Sequence, residues 1–131
     1  MSEKKRMSAK FQRGLATRRA VLGDDHVDRS LRQADDFSWP LQQLITEYAW
    51  DEIWNRPGLD RRSRSLINVG VLAALNRPHE LRIHILGAIN NGVSRDEIRE
   101  ALLQVGAYCG LPAALDGFRV AREAFKELDE G

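Results

Sequence analysis

The stretch "DRRSRSLINVGVLAALNRPHELRIHILGAINNGVSRDE", Asp60 to Glu97, carries the punctuation that decides the fold. Asp60 is suited to an N-cap, because its carboxylate accepts from the open N–H groups of a first helical turn. Leu66, Ile67, Val69, Val71, Leu72 and Leu75 follow at helical spacing. The second half of that helix is apolar on most of its circumference, which predicts a central position. Asn76-Arg77-Pro78 stops it. Pro78 then opens another helix, since a first-turn proline gives up no hydrogen bond. Leu81, Ile85, Ala88 and Ile89 form its apolar face, and Gly92 closes it. Ser94-Arg95-Asp96-Glu97 is a capping box, in which hydroxyl and carboxylate each satisfy the other's backbone N–H. It starts a helix that runs to about Cys109.

Helical signals continue on both sides. Gly110 and Pro112 separate a last amphipathic helix, ending near Leu128. Upstream, NRPGLD is a turn around Pro57-Gly58. Ser38 is placed to cap a helix with Trp39 and Pro40 in its first turn, running to about Trp54. The polar stretch GDDHVDRSLRQADDF predicts a short helix and a turn. The segment from about Lys5 to Leu22 reads as a helix closed by Gly23. Strand signals are nearly absent, and the one Asn-Gly pair, Asn91-Gly92, follows a helical pattern. The expectation is an all-α, compact bundle of five to six helices. A single domain over 1–131 is expected, with an N-terminal helical extension at 1–37 and a core at 38–129.

Composition narrows the function. The chain has 131 residues, enough for one core. Its 20 basic and 19 acidic residues nearly cancel, so no basic footprint for nucleic acid is present. No apolar run approaches the ~20 residues of a membrane span. MSEKKRMSAK is charged and leads into no apolar segment of a secretory signal. A cytoplasmic location is the default. The lone Cys109 excludes an internal disulfide, a CxxC redox pair and a multi-cysteine zinc site. No phosphate-binding glycine loop, nucleophile elbow or metalloprotease motif occurs. His26 has carboxylates on both sides but no metal-ligand spacing, and His79, after Pro78 at a helix start, is expected to be exposed.

Chemistry concentrates in the middle of the chain. Glu80 and His84 stand four apart, which places them on one helical face. Such a pair is either a surface ion pair worth a few tenths of a kcal/mol, roughly, or a proton-handling site. His84 lies beside the buried face set by Leu81, Ile85 and Ala88, where an imidazole keeps a defined tautomer. Trp50 and Trp54 also share a face. Glu52 lies on a different face, nearer Tyr48: either the tryptophans are a core pair and the carboxylate is exposed, or they are an apolar wall that keeps the Glu52 carboxyl protonated. Arg56, Arg61, Arg62, Arg64 and Arg82 supply cations, either solvated or able to grip carboxylates. Cys109, before Gly-Leu-Pro, reads as a packing residue.

"YAWDEIWNRPGLDRRSRSLINVGVLAAL", "ELRIHILGAINNGVSRDEIREALLQVGAYCGLPAA" and the N-terminal "RRAVLGDDHVDRSL" together resemble the carboxymuconolactone decarboxylase family. The resemblance covers nearly the whole chain, and W-x-E-x-W-x-R-P-G-L and E-L-R-x-H are its specific strings. It implies the alkylhydroperoxidase-like helical superfamily. Peroxidase members use a Glu, a CxxC pair and a His; here His84 matches the His. Ser65, Arg77 and Glu80 stand at the other positions, so thiol peroxidase chemistry is not available.

The resemblance implies a cofactor-independent, metal-free decarboxylation of 4-carboxymuconolactone to β-ketoadipate enol-lactone in protocatechuate catabolism. Loss of CO₂ leaves a dienolate on the lactone carbonyl, which asks for a donor, an acid and cations for the carboxylate that stays. On that basis His84 is expected as proton donor or dienolate stabiliser, Glu80 as its orienting carboxylate and Glu52 as a second acid or a carboxylate that repels the leaving group. Arg64 and Arg82 are expected to bind the retained carboxylate of the dicarboxylate lactone, with Trp50 and Trp54 as wall. The family also implies a homo-oligomer, trimer or hexamer. Two other readings stay open: a decarboxylase or isomerase of another keto acid or lactone, and a non-catalytic helical assembly protein.

Overall fold

The computed structural model describes residues 7–131. They form seven α-helices and one π-helical segment, with no strand among the described residues. The all-α expectation holds, and the helix count is slightly higher than five to six. Contacts cluster into two units that divide between Leu59 and Asp60. The division anticipated at 37/38 lies inside the first of them.

In the first unit, α1 (Ala9–Leu22) is capped by Ser8, whose Oγ accepts from the Phe11 N–H. The predicted start near Lys5 lies outside the described residues. Gly23, at φ 90°, closes α1 and leads into α2 (Asp24–Gln33). The segment α3 (Trp39–Leu44) continues into the π-helical stretch Ile45–Ile53. The single α-helix expected from Trp39 to about Trp54 is therefore corrected. Its second half is wider, as the Trp54 N–H to Ala49 C=O bond shows by stepping back five residues. Ser38 does not cap with its side chain. Its Oγ accepts from the Asp35 N–H instead, while its own N–H donates to Asp35 Oδ1. The hydroxyl is spent on the turn before the helix.

The widened segment packs on α1 at very close range. A Cβ placed on Gly14 would lie 1.9 Å from the Thr46 carbonyl oxygen. Only glycine permits that backbone approach. Around it, Phe11 and Trp39 stack at 5.4 Å among Val27 and Leu31. Trp50 and Trp54 stack at 4.7 Å beside Val21.

The second unit contains α4 (Arg61–Ala74), α5 (Pro78–Asn90), α6 (Arg95–Cys109) and α7 (Leu111–Glu130). Asp60 Oδ1 accepts from the Ser63 N–H and starts α4 as its N-cap. Asn76, at φ 55°, and Pro78 make the turn into α5. Gly92, at φ 93°, ends α5 in the left-handed region. The capping box at Ser94 and Glu97 is formed in both directions. Val69, Ala73, Leu81, Ile85, Ala88, Ile98, Leu102 and Val120 build the core of this unit. Helix α4 packs on the other three, so it is central within its unit. Its apolar circumference is only partly used: Ile67, Val71 and Leu75 stay 51%, 44% and 59% exposed.

Candidate functional site

Helices α4 and α5 run side by side and are joined by polar side chains. Asn91 Nδ2 donates to Ser65 Oγ at 2.9 Å and to the Arg61 carbonyl at 3.4 Å. Ser65 is wholly buried, which gives its hydroxyl a structural task at this crossing. Further along, Asn68 Nδ2 lies 3.5 Å from His84 Nδ1. His84 is half-buried, next in sequence to the fully buried Ile85. Pro78 and the buried Leu81 fix the first turn of α5 below it, and this sets where the ring emerges.

The other proposed groups fall in distinct places. Arg64 precedes Asn68 by one turn of α4, shares its face and is half-buried. Glu80 is exposed in the first turn of α5, one turn before His84. Its anion there suits the positive end of the helix dipole. Arg82 stands about 200° round α5 from His84, and its guanidinium is paired with Glu127 of α7. Arg62 is paired with Glu97 across α4 and α6. Two of the five arginines thus tie helices of this unit together.

Trp50, Trp54 and Glu52 belong to the first unit. The tryptophans are buried there as a stacked pair. Glu52 is exposed and its Oε1 accepts from Lys10 Nζ at 2.9 Å. The buried carboxylate beside the tryptophans is Asp51. It accepts from Asn55 Nδ2 at 2.9 Å and from the Arg13 guanidinium at 3.3 Å. The Asn55 bond, and then the Arg13 pairing, hold its carboxyl below the usual range. Thr17 Oγ1 donates to Asn55 Oδ1 at 2.7 Å and completes the chain of bonds. This group fastens the π-helical segment to α1 and keeps Asp51 ionised.

Two residues were missed in the sequence. Asn68 meets the imidazole, and Asp51 is the buried acid. The only local traces were the polar character of Asn68 within an apolar helix and the spacing of Asp51 four from Asn55, and neither specifies the contact made. Cys109 is exposed rather than a packing residue, which corrects that expectation. Among the described residues no three His, Cys, Asp or Glu side chains gather as a metal site would require.

Chemically, the α4–α5 pair offers an imidazole of defined orientation and a cation on the adjoining helix. A neutral imidazole with one nitrogen engaged donates or accepts a proton through the other. An arginine within the same unit suits an anionic substrate.

Residues 40–123 match the model of the carboxymuconolactone decarboxylase family. The chain is 45% identical over 119 residues to 4-carboxymuconolactone decarboxylase of Acinetobacter baylyi, covering 91% of this chain and 89% of that one. It is 43% identical over 122 residues to nitrosuccinic acid decarboxylase npaB of Metarhizium robertsii, covering 92% and 85%. A shorter match to 4-carboxymuconolactone decarboxylase of Pseudomonas putida is 49% identical over 49 residues, 37% of this chain and 94% of that one. The chain belongs to the carboxymuconolactone decarboxylase family.

Proposed function

We propose that this member of the carboxymuconolactone decarboxylase family removes CO₂ from 4-carboxymuconolactone and releases β-ketoadipate enol-lactone. The observation that carries this reading is the likeness, over nearly the whole chain, to the Acinetobacter enzyme of that name. The chemistry suits the residues. The departing carboxylate sits on a ring carbon joined through C=C to the lactone carbonyl. As the C–C bond to CO₂ breaks, its electron pair moves through the ring onto the carbonyl oxygen. His84 stabilises that dienolate as a donor or delivers the proton that reaches ring carbon. Arg64 holds the carboxylate that stays, by charge-assisted hydrogen bonds.

Glu80 supports the imidazole through its charge one turn away. Arg82 takes part in binding only by exchanging Glu127 for substrate, and Glu52 stays paired with Lys10 in the first unit. Trp50 and Trp54 serve the first unit as its buried, stacked pair. No cofactor or metal enters this scheme. The chain acts in the cytoplasm; no helix among the described residues is long and apolar enough to cross a membrane.

The enzyme works as a homo-oligomer, a trimer or hexamer. Support comes from the exposed apolar stripe Ile67, Val71 and Leu75 on α4, and from the exposed Leu103, Tyr108, Leu111 and Leu115 on α6 and α7. Apolar surface of that extent favours burial against another copy.

The match to a nitrosuccinic acid decarboxylase favours a second reading, in which the substrate is another small dicarboxylic acid with an electron-accepting group. Purified protein is to be offered freshly generated 4-carboxymuconolactone and nitrosuccinic acid in separate assays of CO₂ release. Turnover of the lactone at the higher kcat/KM supports the first reading. Preference for nitrosuccinic acid replaces it with the second. Release from neither by folded protein overturns both.

A further inference from the structure

We propose that Asn68 is a positioning residue that holds His84 as the neutral imidazole with its proton on Nε2. The inference rests on the proton-handling role given to His84 above. An amide NH₂ donates and never accepts. Asn68 Nδ2 stands 3.5 Å from His84 Nδ1, so this contact is made only when Nδ1 carries a lone pair. The neutral ring then has its one proton on Nε2. That nitrogen is the donor the dienolate oxygen or the ring carbon needs, so the amide presets the direction of proton delivery.

The packing makes the contact durable. Asn68 precedes Val69, which is fully buried, and His84 precedes Ile85, which is also fully buried. Both side chains leave helices whose rotation is fixed by those neighbours. The Ser65–Asn91 hydrogen bond ties the same two helices further along, so α4 and α5 cannot slide without losing it. A carboxylate partner would do the opposite chemistry. It accepts a bond from Nδ1–H, favours the imidazolium and turns the neutral ring over. The amide at this place therefore selects a neutral acid of one tautomer. Glu80, on the same helix as His84, contributes a field from one turn away and no such choice of nitrogen.

The test is ring ¹⁵N NMR of the full chain, wild type against Asn68→Asp. The three histidines, His26, His79 and His84, are told apart by the spectrum of His84→Gln. Spectra are taken at about pH 9, above the ordinary imidazole range. Wild type is expected to show Nδ1 as the unprotonated nitrogen and Nε2 as the protonated one. Asn68→Asp is expected to move the proton to Nδ1. In turnover, Asn68→Asp is expected to lower kcat on the order of 10²-fold with KM changed far less. A wild-type ring protonated on Nδ1 overturns the inference. So does an Asn68→Asp ring that keeps its proton on Nε2. The NMR result is independent of substrate. Wild type that shows the expected tautomer and no turnover leaves the positioning by Asn68 standing and overturns the proposed reaction.

Discussion

At the scale of single residues, the site depends on side chains that a helix places without strain. Arg64 is half-buried on the face of α4 that carries Asn68. In the proposed reaction its guanidinium binds the retained carboxylate in the ground state and transition state alike, so its loss acts on binding. Arg64→Gln is expected to raise KM about 10- to 100-fold, the worth of a charge-assisted hydrogen bond, with kcat little changed. Steady-state kinetics on the lactone checks this; a lowered kcat at unchanged KM would move Arg64 to the reacting atoms. The position of His84 was legible because Glu80, His84 and the apolar Leu81 and Ile85 lie within two turns of one helix. Its partner was not legible. Asn68 reaches His84 across 16 residues of sequence and through the packing of two helices, and no local pattern encodes that pairing. Asp51 was not legible as the inward carboxylate for a related reason. Which of two adjacent carboxylates turns inward depends on the π-helical turn and on Asn55 and Arg13, not on the spacing of the tryptophans.

At the scale of elements, boundaries set by local hydrogen bonds were the readable ones. Asp60, Pro78, Gly92 and the Ser94–Glu97 box act within one turn of themselves, and each lies where the sequence predicts. The π-helical segment was not readable, because its widened turn accompanies the approach of α1 at Gly14. That approach gives a direct prediction. Gly14→Ala puts a methyl group 1.9 Å from the Thr46 oxygen. Relief requires backbone movement, at a cost of about 1–3 kcal/mol. Urea unfolding should show a lower midpoint in Gly14→Ala; an unchanged midpoint would contradict the close packing of α1 on the π-helical segment.

Helix α6 offers a second prediction. The Arg62 guanidinium, then the Ser94 N–H, hold the Glu97 carboxyl at about 2, against an ordinary 4.5. The ionised form is thus favoured by folding. Its contribution is complete above about pH 4.5 and is lost as pH falls from there through about 2. Glu97→Gln should destabilise at neutral pH and flatten the acid limb of the stability curve below pH 4.5. An acid limb equal to wild type would remove Glu97 from the account.

At the scale of the whole molecule, an all-α chain was legible from punctuation alone, and the family from two short strings. Assembly was not, because an apolar helix looks the same whether its own chain or another copy covers it. Val71 lies on the exposed stripe of α4, 44% accessible. Val71→Glu should lower the molar mass seen by light scattering at matched concentration while leaving the helical circular dichroism intact. A wild-type protein that is monomeric at every concentration would contradict the proposed assembly.

The central claim is that His84 handles the proton in a decarboxylation. The measurement that meets it most directly is CO₂ release from freshly generated 4-carboxymuconolactone by wild type and by His84→Ala, both shown folded. Release by wild type and a loss on the order of 10²- to 10⁴-fold in His84→Ala are expected. Turnover by His84→Ala close to wild type would contradict it and move the acid to another residue.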